Sequence, residues 1–400
     1  MASSSPKDQI PVFFEDTSVA FASKSDAKLR KTYWLFSLMN QARVVNLGTF
    51  FIKLALKLNL PVKNLIRATI FEQFCGGETI NDCDPTIDML GRSGIGTILD
   101  YSVEGEDKES SFDETTAEIL RTIEKAAASR TIPFSVFKVT GLASSEILEK
   151  VQRHDSLSEN EKEAFERVRQ RVEKLCAFAY EKNVRIFIDA EESWLQGIID
   201  TLAYQMMEKF NREKAIVYNT YQLYRHDTLD GLKTAYLVAR QQGYYLGGKL
   251  VRGAYMEKEQ LRARENEYFN PIHVSKEATD DDYNLAIDFC LDHLEYISIC
   301  LGTHNEYSSQ YCAAKMLKLG IKKDDERIWF AQLLGMSDNI SFNLAKAGYN
   351  VAKYVPYGPI DAVLPYLIRR AAENTSIAGQ SSREFLLVKS ELKRRGISSL

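Results

Sequence analysis

The 400 residues carry 51 lysines and arginines against 55 aspartates and glutamates, a net charge of -4. That balance excludes a general attraction for nucleic acid or anionic lipid, so any anion must be recognised locally. Hydrophobic residues make up 45% and aromatics 11%, enough for a sizeable core, and the length fits one large domain with an appendage.

Residues 1–24 mix acids with lysines and contain no apolar core of signal-peptide length. They read as an N-terminal tail, with neither a secretion signal nor an Arg-rich transit sequence expected. From 25 to 90 apolar residues recur at three-to-four spacing, as in "AKLRKTYWLFSLMNQARVVNLGTFFIKLALKL", which Pro61 closes. This pattern predicts a helical arm. Within it, "LGTFFIKLALKLNLP" is interrupted by Lys53 and Lys57 and is too short to span a bilayer.

From Gly94 the texture changes to short β-branched or aromatic runs, each followed by a long charged, amphipathic segment. The runs are 97–103, 134–139, 184–190, 215–221, 249–255, 296–303, 327–332 and 351–356. Eight such strands alternating with helices predict an α/β fold, a (βα)8 TIM-like barrel over 91–395. An open Rossmann sheet is disfavoured, because "GRSGIG" at 91–96 precedes a strand instead of following one. It reads as the turn entering the barrel. The amphipathic stretch 47–60 is expected to cap that barrel, with peripheral contact with a membrane as the other reading.

In such barrels chemistry is built at the carboxyl ends of the strands. The polar groups expected there are Lys138, the run Asp189-Ala-Glu-Glu192, Tyr221 and Gln222, Arg252 to Tyr255, Thr303-His304-Asn305, Gln332 with Leu333, and Tyr354. Asp189 ends the apolar run "RIFI" and is expected at the rim, whereas Glu191 and Glu192 read as acids favouring the N-terminus of the next helix. Lys138 and Lys249 sit on apolar strands, suited to a Schiff base or to an anionic ligand, or simply to snorkelling. Arg369 and Arg370 share a helix with Tyr366 and Glu373. Paired guanidiniums suit a carboxylate or phosphate, and a solvated helix face explains them equally well.

The six cysteines form no CxxC pair, which points to a reducing compartment. No zinc-ligand spacing is present and no metal is expected. Without a Ser-His-Asp order or a reactive cysteine, the inventory suits redox chemistry or binding better than hydrolysis. A Schiff-base aldolase and a non-catalytic binding barrel remain as other classes.

Read together, "IDAEE", "YNTYQLY", "KLVRGAYMEKE", "THN", "FAQLLGMSDNISFNLAKAGYNVAKYVPYGP" and "VLPYLIRRAAEN" resemble proline dehydrogenases of the monofunctional, mitochondrial-like type. The resemblance runs from about residue 12 to about 395. It implies FAD held non-covalently, oxidation of L-proline to Δ1-pyrroline-5-carboxylate by hydride transfer to flavin N5, and electron delivery to a membrane quinone. It implies a carboxylate clamp of Arg369, Arg370 and Lys138, a ring pocket of Tyr255, Leu333, Tyr354 and Tyr366, and Asp189 as the brace of the arginine and tyrosine network. For the flavin it implicates Gln222, Lys249, Val251, Gly253, Ala254, Lys276, Thr303, His304, Asn305 and Glu373. The sister hydroxyproline enzymes resemble the chain too, with serine where Tyr354 stands. The implied location is the cytoplasm or the inner face of a bacterial membrane, or the matrix side of the mitochondrial inner membrane.

Overall fold

The computed structural model describes residues 11–41, 45, 47, 48, 61–103, 108–376 and 380–398, with the side chains of 372–382 outside that set. Eight parallel strands close a barrel in chain order. They are β1 Ile95–Tyr101, β2 Phe134–Phe137, β3 Arg185–Ile188, β4 Val217–Gln222, β5 Leu246–Val251, β6 Ile297–Gly302, β7 Ile328–Leu333 and β8 Val351–Tyr357. Every predicted run contains strand. A parallel strand covered on both faces is apolar almost throughout, which is why the runs stand out.

β5 starts earlier than expected and takes in Gly247 and Gly248. A Cβ on Gly247 would lie 2.4 Å from the Val217 carbonyl oxygen and 2.7 Å from the Tyr218 ring. The glycine therefore serves close approach to β4, not a turn.

Inside the barrel, Phe134 stacks on Phe187 with ring centroids 4.3 Å apart, and Tyr218 and Trp329 meet Phe134 edge-on. This aromatic plug fills the space below Tyr354, leaving polar chemistry to the carboxyl ends of the strands. The helices used below are α1 Asp26–Met39, α2 Asp84–Arg92, α3 Glu109–Ala127, α4 Ser193–Phe210, α5 Met256–Glu265, α6 Lys276–Asp292, α7 Glu306–Lys318, α8 Asp338–Lys346, α9 Ile360–Ser376 and α10 Gln380–Arg394.

Residues 11–24, read as tail, carry Val12 and Phe14 into the main core and a short helix Thr17–Ala20 capped by Asp16. The 25–90 region is helical in pieces. Helix α1 packs Leu29 with Val388 and Leu392 of α10, and a π-helical turn at Arg67–Phe71 joins two short helical segments. Around Cys75 the chain turns extended, and the Gly76 N–H donates to the Pro356 carbonyl at the end of β8. Helix α2 then leads through Gly94, at φ +70, into β1. The stretch 47–60 lies outside the described residues, apart from Leu47 and Gly48.

Candidate active site

At the centre of the mouth, Lys249 of β5 donates to Asp189, just after β3, and to the Tyr354 phenol of β8 at 2.7 Å. Tyr354 in turn donates towards Asp189 at 3.5 Å. The Lys249 ammonium also lies 4.7 Å from the centre of the Tyr354 ring and 5.3 Å from that of Phe187. Burial and the Asp189 charge push the Tyr354 phenol far above its ordinary range, so it stays a neutral donor. Asp189 thus holds the tyrosine, with Lys249 as its charged partner.

Lys138 follows β2, with its ammonium 4.0 Å from Asp100 of β1, whose carboxylate accepts from Ser102 at 2.8 Å. Asp100 went unread in the sequence. It is a buried carboxylate near the end of an apolar strand run, the same signal that singles out Asp189.

Glu191 does more than favour the start of the next helix. It is 3% exposed, and its carboxylate accepts from the backbone N–H of Thr140 at 3.0 Å and from the Thr140 hydroxyl. Its carbonyl accepts from Gln222 Nε2 at 2.7 Å. Burial raises the carboxyl to about 7 against the two Thr140 bonds. One residue therefore pins the loop that carries Lys138 and the side chain of Gln222. Glu192 remains at the start of α4 and pairs with Lys258.

On the β5–β6 side, Arg252 holds Thr303 Oγ1 at 2.7 Å, Ser308 at 3.0 Å and Asp280 at 2.6 Å. Gln332 donates to the Thr303 carbonyl at 3.1 Å, and Asn305 caps α7 through Ser308 N–H. His304 Nδ1 lies 2.9 Å from Ser337 Oγ. Burial, reinforced by Lys353, Arg370 and Arg252, lowers the His304 imidazole to about 3, so it is neutral. Val251 closes β5, and Gly253 and Ala254 are exposed on the rim beyond it. Gly253 has φ +141, and any Cβ there would strike the Tyr224 ring at 2.4 Å. Only glycine fits that turn. Lys276 lies on the exposed first turn of α6 and is paired with Asp280 at 2.6 Å.

Helix α9 brings Tyr366 into a cluster with Phe71, Phe74 and Met336, against Leu333 at the end of β7. The Arg370 guanidinium lies 5.4 Å from the Tyr366 ring centre, and its charge is felt at His304. That tie brings α9 to the strand-end cluster and weighs against a solvated face for Arg370. Arg369 is half-buried beside it, and Tyr255 starts α5 under the Lys258 ammonium. Glu373 belongs to α9, with its side chain outside the described set.

Comparison with known proteins decides the family. A family described as proline dehydrogenase matches residues 83–383. The chain belongs to the proline dehydrogenase family. It is an enzyme, an oxidoreductase of that kind. Proline dehydrogenase 1, mitochondrial, of Dictyostelium discoideum is 33% identical over 426 residues, covering 95% of this chain and 74% of that protein. Hydroxyproline dehydrogenase of Xenopus laevis is 32% identical over 365 residues, covering 82% and 78%. Among solved structures, proline utilization A from Bdellovibrio bacteriovorus, inactivated by N-propargylglycine, superposes with a TM-score of 0.71 at 20% identity. That match covers 91% of this chain and 38% of the longer one, and it bears out the barrel.

Proposed function

We propose that this enzyme oxidises L-proline to Δ1-pyrroline-5-carboxylate with non-covalent FAD, passing electrons to a membrane quinone. The observation that carries the reading is the meeting of α9 and the strand ends, where Tyr366, under the Arg370 guanidinium, packs against Leu333 of β7, at the same mouth as the Lys249–Asp189–Tyr354 triad. A mouth with fixed cations, phenols and amides that is, among the described residues, poor in nucleophiles orients a substrate and leaves the reactivity to a cofactor.

The donor set fits a flavin. Gln222, Lys249, Val251, Gly253, Ala254, Lys276, Thr303, His304, Asn305 and Glu373 would hold it, with backbone, amide, imidazole and ammonium groups offered along β4 to β6 and on α6. When bound, FAD supplies the two-electron acceptor for a hydride from C5 of proline.

The chain's own residues do the rest. Arg369, Arg370 and Lys138 hold the carboxylate, which fixes C5 through a remote charged contact. Tyr255, Leu333, Tyr354 and Tyr366 enclose the ring. Lys249 is held by Asp189, where a fixed positive charge would favour negative charge developing nearby. With the amine bound neutral, its lone pair forms the C=N bond as the hydride leaves, and the resulting iminium yields its proton to solvent. No strong base is required.

A second reading, 4-hydroxyproline as substrate, draws on the Xenopus relative. Tyr354 argues against it. The ring is held by Lys249 and Asp189 and stacks on Phe187 at 6.2 Å, so it is not free to make room for a ring hydroxyl.

The visible spectrum tests the proposal. Oxidised-flavin bands that bleach on adding proline, with flavin released by denaturation, are expected. A colourless protein would end it, and flavin left with the precipitate would refute the non-covalent assignment. The quinone, its membrane and the compartment implied by the mitochondrial relatives belong to the same proposal. No helix among the described residues is long and apolar enough to cross a membrane.

A further inference from the structure

Ser337 immediately precedes α8 and adopts φ +50, the left-handed region that side chains rarely occupy. A serine in this place ordinarily caps its helix with the hydroxyl. Here the hydroxyl makes no cap bond and lies 2.9 Å from His304 Nδ1. The Ser337 N–H donates instead to Glu384 of α10 at 2.6 Å, across 47 residues of chain. Glu384 is 3% exposed. The next residue, Asp338, accepts from Lys353 and pairs with Lys24, each at 2.9 Å.

We propose that Glu384 is a positioning residue for the cofactor site, acting through Ser337 to set the orientation of His304. The inference rests on the reading of His304 as a flavin contact. A neutral imidazole offers one N–H and one lone pair, and a hydroxyl partner can meet either, so a bond at Nδ1 fixes how the ring is turned. Ser337 Oγ is that partner at Nδ1. Its position depends on an unusual backbone conformation, which lasts only where its surroundings enforce it. The Glu384 carboxylate does so by taking the buried N–H. Without it, Ser337 keeps a buried donor with no acceptor, and relaxation of the backbone swings the hydroxyl away from the ring. The last long helix thereby reaches the mouth without touching a ligand.

FAD dissociation from the holoenzyme, with the shape of its visible bands, provides the test. Glu384→Leu should release FAD at least tenfold more readily and shift the bands. Glu384→Gln should stay within about twofold of the parent, because its amide oxygen still accepts the Ser337 N–H. Ser337→Ala should weaken FAD similarly, and the double variant Glu384→Leu/Ser337→Ala should be no worse than either single change, as members of one chain of contacts are not additive. If Glu384→Leu fails to fold, Ser337→Ala carries the test, since it keeps the bond to Glu384 and removes only the hydroxyl. Unchanged FAD release and bands in Ser337→Ala, or in a folded Glu384→Leu, would overturn the role and reduce Glu384 to docking α10. If those variants lose FAD while His304→Ala does not, the path through His304 is wrong. FAD release unchanged in all three would remove the flavin reading of His304, and this role with it.

Discussion

Two buried lysines on barrel strands, Lys249 and Lys353, mark two kinds of polar burial in one molecule. Lys353 points outward from β8 beneath α8 and is 0% exposed. Its ammonium meets Asp338 at 2.9 Å and the carbonyls of Leu333 and Met336, so all three donors are used. Burial alone would raise the Asp338 carboxyl, but the charges of Lys24 and Lys353 overcome that and hold it well below the ordinary carboxylate range. Lys249 points into the mouth and is 5% exposed, yet among the described residues its three donors meet only Asp189 and Tyr354. The outer cluster is satisfied and closed. The inner one keeps bonding capacity where a ligand can arrive, and this incompleteness distinguishes a site from a staple.

The comparison breaks most visibly at the outer lysine. Lys353→Met should cost about 3–5 kcal/mol of stability by leaving Asp338 and two carbonyls without their cation. Chemical denaturation would measure it, and a loss below about 1 kcal/mol would show that Lys24 alone suffices. Arg369→Met and Arg370→Met should each lower kcat/KM for proline by about 1.5–3 kcal/mol, roughly ten- to 150-fold, with flavin retained. Near-normal turnover in both would return the pair to an exposed helix face. Tyr354→Ser should lower activity on proline and move the proline-to-hydroxyproline ratio by about ten- to two-hundredfold. An unchanged ratio would place the choice of substrate elsewhere.

The smallest effect concerns pH. Glu191 is raised to about 7 by burial, above its unfolded value, so the native state binds the extra proton between roughly pH 4.5 and 7. Stability from this group is full at low pH, falls as pH rises through that window, and is flat above it. Glu384 is raised to about 7 as well, by burial and by Asp338, and adds to the same slope. Glu191→Gln mimics the protonated form, so the unfolding free energy of that variant, measured by urea denaturation, should fall less between pH 5 and 7, by an amount of order 1–3 kcal/mol. An identical slope in parent and variant would exclude Glu191 as its source.

All eight strands could be read because burial on both faces makes parallel strands conspicuous. That same property hid Lys353. In a strand apolar on both sides, alternation cannot tell the inside of the barrel from the helix layer. Asp189 was legible as the carboxylate that ends an apolar run, and Asp100 carries the same mark within "TILDYSV". Glu191 misled because an acid before a helix has an ordinary local explanation, and its partner Thr140 lies 51 residues earlier. Glu384 sits in the unremarkable amphipathic run "REFLLVKSELKRR", where nothing local points to Ser337. Arg252 was noted at its strand end but given no role, because the residues that it holds come from β6, α6 and α7. The helical character of 25–90 was readable from spacing, whereas the break at 75–80 depends on the bond from Gly76 to β8.

The seam of the barrel sets the order in which a growing chain can become an enzyme. β1 pairs with β8 over seven positions, Ile95 with Val351 through Tyr101 with Tyr357, whereas β1 and β2 share two. On a ribosome, β1 emerges early and waits with one edge open until some 250 further residues have been synthesised, since strands pair no sooner than they exist. Helix α9, with its two arginines, follows β8, and α10, with Glu384, comes later still. Nascent chains halted before residue 351 should therefore have neither a closed barrel nor a competent mouth, and assembly of the mouth becomes a late event, tied to the synthesis of α9 and α10.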